Sequence, residues 1–110
     1  MLDNQKIAVV LPAYNAALTL KQTYDDIPKR IVDDIIVTDD SSTDETISLA
    51  RSLGIHTLVH DVNRGYGGNQ KTCYRAALER GADIVVAAPR LSIFAAPRAG
   101  DSVNGGLGRI

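Results

Sequence analysis

Four short runs rich in Val, Ile and Leu recur along the first 88 residues, and a helical pattern separates each from the next. The runs are KIAVVL (6–11), DDIIVT (33–38), IHTLVH (55–60) and ADIVVAA (82–88). β-Branched residues fit a pleated surface, and near-continuous apolar runs mark strands covered on both faces. Strand–helix–strand repetition at this spacing predicts βαβ units. The expected fold class is therefore α/β, a Rossmann-like parallel sheet with right-handed crossovers. A chain of 110 residues has room for one small domain of this kind, or for a piece of a larger one.

The first helix is predicted from about Ala16 to Asp26, ending before Ile27-Pro28 because the residue preceding proline is pushed out of the helical region. The second is predicted to open at Ser42, whose hydroxyl caps it while Glu45 reaches back. Its Ile47, Ala50 and Leu53 share a face, and Gly54 stops it. The third is predicted from about Gly68 to Arg80, closed by Gly81, with Cys73, Tyr74 and Ala77 facing inward. From Pro89 the pattern breaks. Residues 89–110 hold two of the four prolines and four of the nine glycines, show no period, and carry a charge of +2 against −3 for residues 1–88. They read as an irregular or disordered tail.

Composition excludes several classes. A net charge of −1 without a basic stripe gives no reason to expect nucleic acid. The single Cys73 excludes a disulfide within the chain and suits a reducing compartment. The opening MLDNQKIAVVLPAYN has an early Asp3 and only a five-residue apolar run before Pro12. It reads as neither signal peptide nor membrane span, and the expected location is the cytoplasm.

In a parallel sheet the strands end on one side, where loops and helix starts form a ligand crevice. Three exits would meet there: PAYN (12–15), DDSSTD (39–44) and NRGYGG (63–68). Asp39 and Asp40 have two readings. One carboxylate can accept a base N–H while its neighbour holds a ribose hydroxyl, or both simply favour the start of the next helix. Pro12 and Tyr14 can wall a base or ribose with Asn15 capping the first helix, and the same residues also make an ordinary turn. In NRGYGGNQKT the glycines permit close backbone approach, the helix start favours an anion, and Arg64 and Lys71 add positive charge. The plainer reading there is a glycine turn and a solvated lysine. His56 and His60 lie ~13 Å apart along one strand, too far to share a metal, and a surface or edge role is expected. Cys73 is expected to be a small core residue.

Two familiar phosphate loops fail. A P-loop needs glycine directly before its lysine, where this chain has Gln70, and it normally follows the first strand. A dinucleotide fingerprint should open the first βα turn, which here is PAYN.

The order VVLPAYNAALTL, DDIIVTDDSSTDET, NRGYGGNQKTCYRAALERGADIVV resembles the family 2 glycosyltransferases of the GT-A fold, in particular bacterial members related to dolichol-phosphate and polyprenyl-phosphate sugar transferases. The resemblance covers about residues 6–87, the first third to half of a typical family catalytic domain. It implies a nucleotide-diphosphate sugar donor and a lipid-phosphate or saccharide acceptor. It implies places around the nucleoside for Pro12, Tyr14 and Asn15, and a base-binding role for Asp40 with Asp39 beside it. Asn63, Gly65 and Gly68 match the family's glycine loop, with Arg64 or Lys71 near the diphosphate. Ala16 stands where the family often has Glu.

The resemblance further implies a divalent metal, Mg or Mn, held by an Asp-x-Asp motif at the exit of the fourth strand. The chain reads Ala87-Ala88-Pro89-Arg90 there, and Asp83 lies ~16 Å back along the strand. The domain reading is therefore an incomplete nucleotide-sugar-binding portion at 1–88, followed at 89–110 by a tail outside the family pattern, of the kind a frameshift leaves. Such a chain is expected not to transfer sugar by itself. The alternatives are a non-catalytic α/β nucleotide- or phosphate-binding module, and an open-reading-frame product with no ligand.

Overall fold

Runs of Val, Ile and Leu form the strands β1 (Ile7–Ala13), β2 (Asp34–Asp39), β3 (His56–Val59) and β4 (Ile84–Ala87), all parallel. The computed structural model describes residues 4–88 in full, and beyond them the backbone of β5 (Ser92–Ala95) and β6 (Gly108–Arg109). The helices α1 (Ala17–Asp26), α2 (Thr46–Ser52) and α3 (Gly65–Glu79) connect the parallel strands, and the sheet order is β3-β2-β1-β4-β5-β6. The parallel α/β expectation holds.

Side chains alternate across the sheet, so each strand feeds two cores. Ala8, Val10, Ile36 and Val85 pack against Cys73, Tyr74 and Ala77 of α3 on one face. Val9, Leu11 and Val37 pack against Leu20 of α1 and Ala50 of α2 on the other. Cys73 is the small core residue expected, and burial pushes its thiol up to about 11.

The register pairs Ala8 with Asp34 and Ala13 with Asp39, which brings the exits of β1 and β2 level. Order reverses between β1 and β4, and that switch point is where such sheets hold ligands.

Helix boundaries separate what local chemistry decides from what it does not. α1 stops as expected, with Ile27 extended (φ −71°, ψ 128°) before Pro28. Gly54 and Gly81 take positive φ after α2 and α3, the conformation expected of residues that end a helix. α2 does not open at Ser42. It starts at Thr46, whose amide donates to Asp44 Oδ1 at 3.0 Å, while the Ser42 hydroxyl is drawn away to Asp39. α3 begins a turn earlier than expected, taking in Gly65, Gly67 and Gly68. Glycine is a poor helix former, so a contact from elsewhere must hold that first turn.

The tail expectation needs one correction. Within 89–110, β5 pairs antiparallel with β4 and β6 with β5, so the segment is not wholly irregular. Its other positions lie outside the described residues.

Ile36 is fully buried where β2 meets α3. Ile36→Ala is expected to lower stability by about 2–5 kcal/mol in urea denaturation, the usual cost of deleting a buried aliphatic side chain. A loss under about 1 kcal/mol would mean that the α3 face is not a packed core.

Candidate functional site

Three aspartates bind the strand exits together. Asp39, fully buried, accepts from the Ser42 amide at 2.8 Å and from its hydroxyl at 2.5 Å. That hydroxyl in turn accepts from the Asn15 amide at 2.8 Å. Asp44 accepts from the amides of Ala17 and Thr46 and from the Thr46 hydroxyl, so one carboxylate serves the starts of both α1 and α2. The Thr46 hydroxyl holds its carboxyl below the usual value against the opposing pull of desolvation, and the amides add to it. Asn15 does not cap α1. It adopts φ 47°, its side-chain oxygen accepts from the Thr43 amide at 2.9 Å, and Ala16 takes the cap position.

Asp40 is the centre of the third tie. Its Oδ1 accepts from the Arg64 amide at 2.7 Å and faces His60 Nδ1 at 2.9 Å. Its Oδ2 accepts from the Gly65 amide at 2.9 Å. The orphan N–H groups at the start of α3 thus point at a carboxylate supplied by β2. Desolvation pushes the Asp40 carboxyl up, but the Arg64 amide, the His60 ring and the Gly65 amide together hold it below the usual range. The anion expected at this helix start is therefore already present within the chain. Asn63 completes the turn, its Nδ2 donating to the Asp40 carbonyl at 3.2 Å and its Oδ1 accepting from the Gly65 amide at 2.9 Å.

Beside this tie lies a cavity of about 380 Å³, lined by Pro12, Ala13, Tyr14, Asp40, Asn63, Gly65, Tyr66 and Asn69. Five residues singled out in the sequence meet there: Pro12, Tyr14, Asp40, Asn63 and Gly65. Asn15, Asp39, Arg64, Gly68 and Lys71 do not line it. Gly68 has a packing reason instead: a Cβ there would stand 2.8 Å from Arg64 Cβ. Gly65 is needed for its positive φ of 78°.

Sequence reasoning missed Tyr66, Asn69 and His60. Tyr66, half-exposed at the cavity, has its hydroxyl 3.4 Å from Gln70 Nε2, which also donates to Tyr74 at 2.9 Å. Asn69 is buried and donates to the Ala13 carbonyl at 3.2 Å. Both were hidden by placing the start of α3 too late, since helical phase puts residues 65, 66 and 69 together. His60 is buried rather than at the surface, bonded to Asp40 and Thr72. Its parity offered a signal: His60 is two residues beyond Leu58, which packs on the α3 core.

A second cavity, about 440 Å³, lies at the opposite end of the sheet among Asp33, Asp34, His56 and Arg80. Arg80 and Asp34 already satisfy one another there in a two-point ion pair. Parallel sheets bind ligands at the carboxyl edge, so the smaller cavity is the candidate.

Among the described residues, the donor set at that edge does not fit a divalent ion. Asp39 and Asp40 already accept from two and three in-chain donors, and the exit of β4 offers the methyl groups of Ala87 and Ala88. Among the described residues, no group of three or more His, Cys, Asp or Glu could hold a metal.

A β3-β2-β1-β4 parallel arrangement with helix starts converging beside the switch point defines a Rossmann-like α/β domain. The chain belongs to glycosyl transferase family 2, whose family model matches residues 8–87. An uncharacterised protein of Methanocaldococcus jannaschii is 34% identical over 77 residues, covering 70% of this chain and 32% of that protein. The UDP-N-acetylglucosamine–dolichyl-phosphate N-acetylglucosaminyltransferase of Methanococcus voltae is 29% identical, covering 73% and 39%. Glucosyl-3-phosphoglycerate synthase of Mycobacterium tuberculosis, solved with Mn2+, UDP and glucosyl-3-phosphoglycerate, superposes with a TM-score of 0.63 at 31% identity over 76% of this chain and 33% of that one. The UDP complex of S. aureus TarS 1–349 shares the fold, with a TM-score of 0.64 at 22% identity over 76% and 26%. The chain thus spans about a third of the length of these relatives. No helix among the described residues is long and apolar enough to cross a membrane.

Asp40 has a depressed folded pKa, so its contribution to stability is present above the unfolded value near 3.8 and is lost as pH falls through the lower folded value. Asp40→Asn is expected to cost about 1–3 kcal/mol at neutral pH, because buried amides lose a charged acceptor. It should also flatten the acid limb of stability below about pH 4, measured by denaturation across pH. An unchanged acid limb would remove Asp40 as the cap.

The glycines of α3 are expected to separate. Gly67, with open space around it, should gain about 0.5–1 kcal/mol as Gly67→Ala, whereas Gly68→Ala should lose stability against the Arg64 side chain. Thermal unfolding of the pair checks this, and equal effects at both positions would contradict it.

Proposed function

We propose that residues 1–88 are the nucleotide-sugar-binding portion of a family 2 glycosyltransferase domain, with residues 89–110 outside the family pattern, and that the cavity at the carboxyl edge takes the nucleoside. The observation that carries this reading is the asymmetry of Asp40. Oδ1 meets two in-chain donors while Oδ2 meets one, from Gly65, a cavity-lining residue. A carboxylate oxygen accepts two hydrogen bonds, so Oδ2 keeps a position for a base N–H. Tyr14 and Tyr66 present half-exposed rings on which a base can stack, and ~380 Å³ lies within the size range of small-ligand pockets.

The family supplies the reaction class: transfer of a sugar from a nucleotide-diphosphate donor. The archaeal relative's name favours a lipid-phosphate acceptor over a saccharide. Arg64 and Lys71 are exposed on the same loop and helix and supply positive charge for the diphosphate. Asn15, Asp39 and Gly68 act by shaping the loops. A second reading, a non-catalytic nucleotide-binding module, is favoured by the misfit of the strand-exit side chains to a metal. In either case the 110-residue chain alone binds nucleotide without transferring sugar.

Titration of UDP and GDP into the 15N-labelled chain is expected to move the resonances of Tyr14, Asp40, Asn63, Gly65 and Tyr66. Tyr66→Ala should weaken binding about tenfold, the scale of one base–aromatic stack. Perturbation confined to the Asp34–Arg80 cavity would assign the ligand to the wrong end of the sheet. Sugar transfer by the purified chain would overturn the inactive-fragment part of the reading.

A further inference from the structure

His60 has no ordinary reason to be buried. An imidazole is half polar, and the end of a four-residue edge strand leaves ample solvent for it. Instead the residue is only 5% exposed, and its amide and both ring nitrogens meet partners. The backbone N–H donates to the Asp39 carbonyl at 2.8 Å, continuing the β2–β3 ladder. Nδ1 lies 2.9 Å from Asp40 Oδ1, and Nε2 lies 2.8 Å from Thr72 Oγ1.

The direction of the first bond follows from chemistry. An ionised carboxylate only accepts, so Nδ1 carries the hydrogen. Thr72 can turn its hydroxyl hydrogen toward Nε2 or toward the Gly68 carbonyl 3.2 Å away. Turned toward Nε2, the hydroxyl donates to the ring and holds it by its far nitrogen. The consequence falls on Asp40, whose terminal torsion is broad and does not by itself fix the plane of its carboxylate. The partners of Oδ1, Arg64 and His60, do not line the cavity, whereas Gly65, the partner of Oδ2, does.

We propose that His60 is a positioning residue: anchored by Thr72, it fixes the plane of the Asp40 carboxylate so that both oxygens meet the start of α3 while the one beside Gly65, Oδ2, is also presented to the cavity. For its functional consequence the inference rests on the nucleotide-site reading above, and it deepens that reading by adding the element that orients the base-accepting oxygen. The geometric part stands without any ligand. His60 thus does for Asp40 what a packed, hydrogen-bonded supporting shell does for any precisely aimed side chain.

The test compares three variants of the full chain. His60→Asn keeps an N–H near the place of Nδ1, His60→Gln carries one out toward the place of Nε2, and His60→Leu keeps only volume. Hydrogen exchange of the Arg64 and Gly65 amides, referenced to the core amide of Val10, reports the Asp40 tie directly. Protection is expected to stay within about threefold of wild type in H60N and to fall by about tenfold or more in H60Q and H60L. UDP or GDP affinity should fall in the same order. A space-filling role predicts the opposite, with H60L and H60Q holding the protection and H60N losing it. Equal protection in all variants likewise overturns the proposal. Should H60L fail to fold, the Asn–Gln comparison decides alone. A wild-type chain that binds neither nucleotide sinks the proposed function, while the exchange order still decides whether His60 positions Asp40.

Discussion

The carboxylate of Asp40 meets the amides of Arg64 and Gly65 and the ring of His60 in one place. Asp40 follows β2, the amides start α3, and His60 follows β3, so a single side chain ties three elements at the carboxyl edge. A first helical turn containing Gly65, Gly67 and Gly68 has little intrinsic stability, and no side chain of its own caps it. The negative charge that this helix start demands comes from 24 and 25 residues away in the chain. With that turn formed, Tyr66 and Asn69 come onto the cavity and Gly68 receives the Arg64 side chain.

The same device recurs twice on the other face. Asp39 holds Ser42, and through it Asn15, while Asp44 supplies both α1 and α2. Loops that would be independent on a looser sheet are here cross-braced by carboxylates, Asp39 and Asp40 buried and Asp44 exposed, each satisfied by backbone N–H groups. The two buried carboxylates, Asp39 and Asp40, would be expensive to leave unpaired. The bracing also bears on the misfit to a divalent ion: among the described residues, the carboxylates at this edge are engaged in holding the loops.

Much of this was legible in the residues. The β-branched runs and their spacing determine the parallel sheet, Pro28 stops α1, and Gly54 and Gly81 mark helix ends. The loop motifs bring Pro12, Tyr14, Asp40, Asn63 and Gly65 to one cavity, as their order along the chain implies. What was not legible has a common cause. Ser42 with Glu45 resembles a local capping box, yet Asp39 competes for the serine from the preceding strand end and wins. Asn15 resembles a cap, yet its side chain crosses to Thr43. His60 resembles an edge residue until Asp40 and Thr72 are seen on either side of it.

Periodicity, β-propensity and backbone restriction are properties of neighbouring residues, and they determined the α/β class, the number of parallel strands and the ends of the helices. The starts of α1 and α3 were decided only by tertiary structure. A helix ends with its own glycine or proline, but its opening N–H groups take whichever acceptor the fold brings near. In this protein α1 and α3 take aspartates from other loops, Asp44 and Asp40, and no pattern within one segment records that distance.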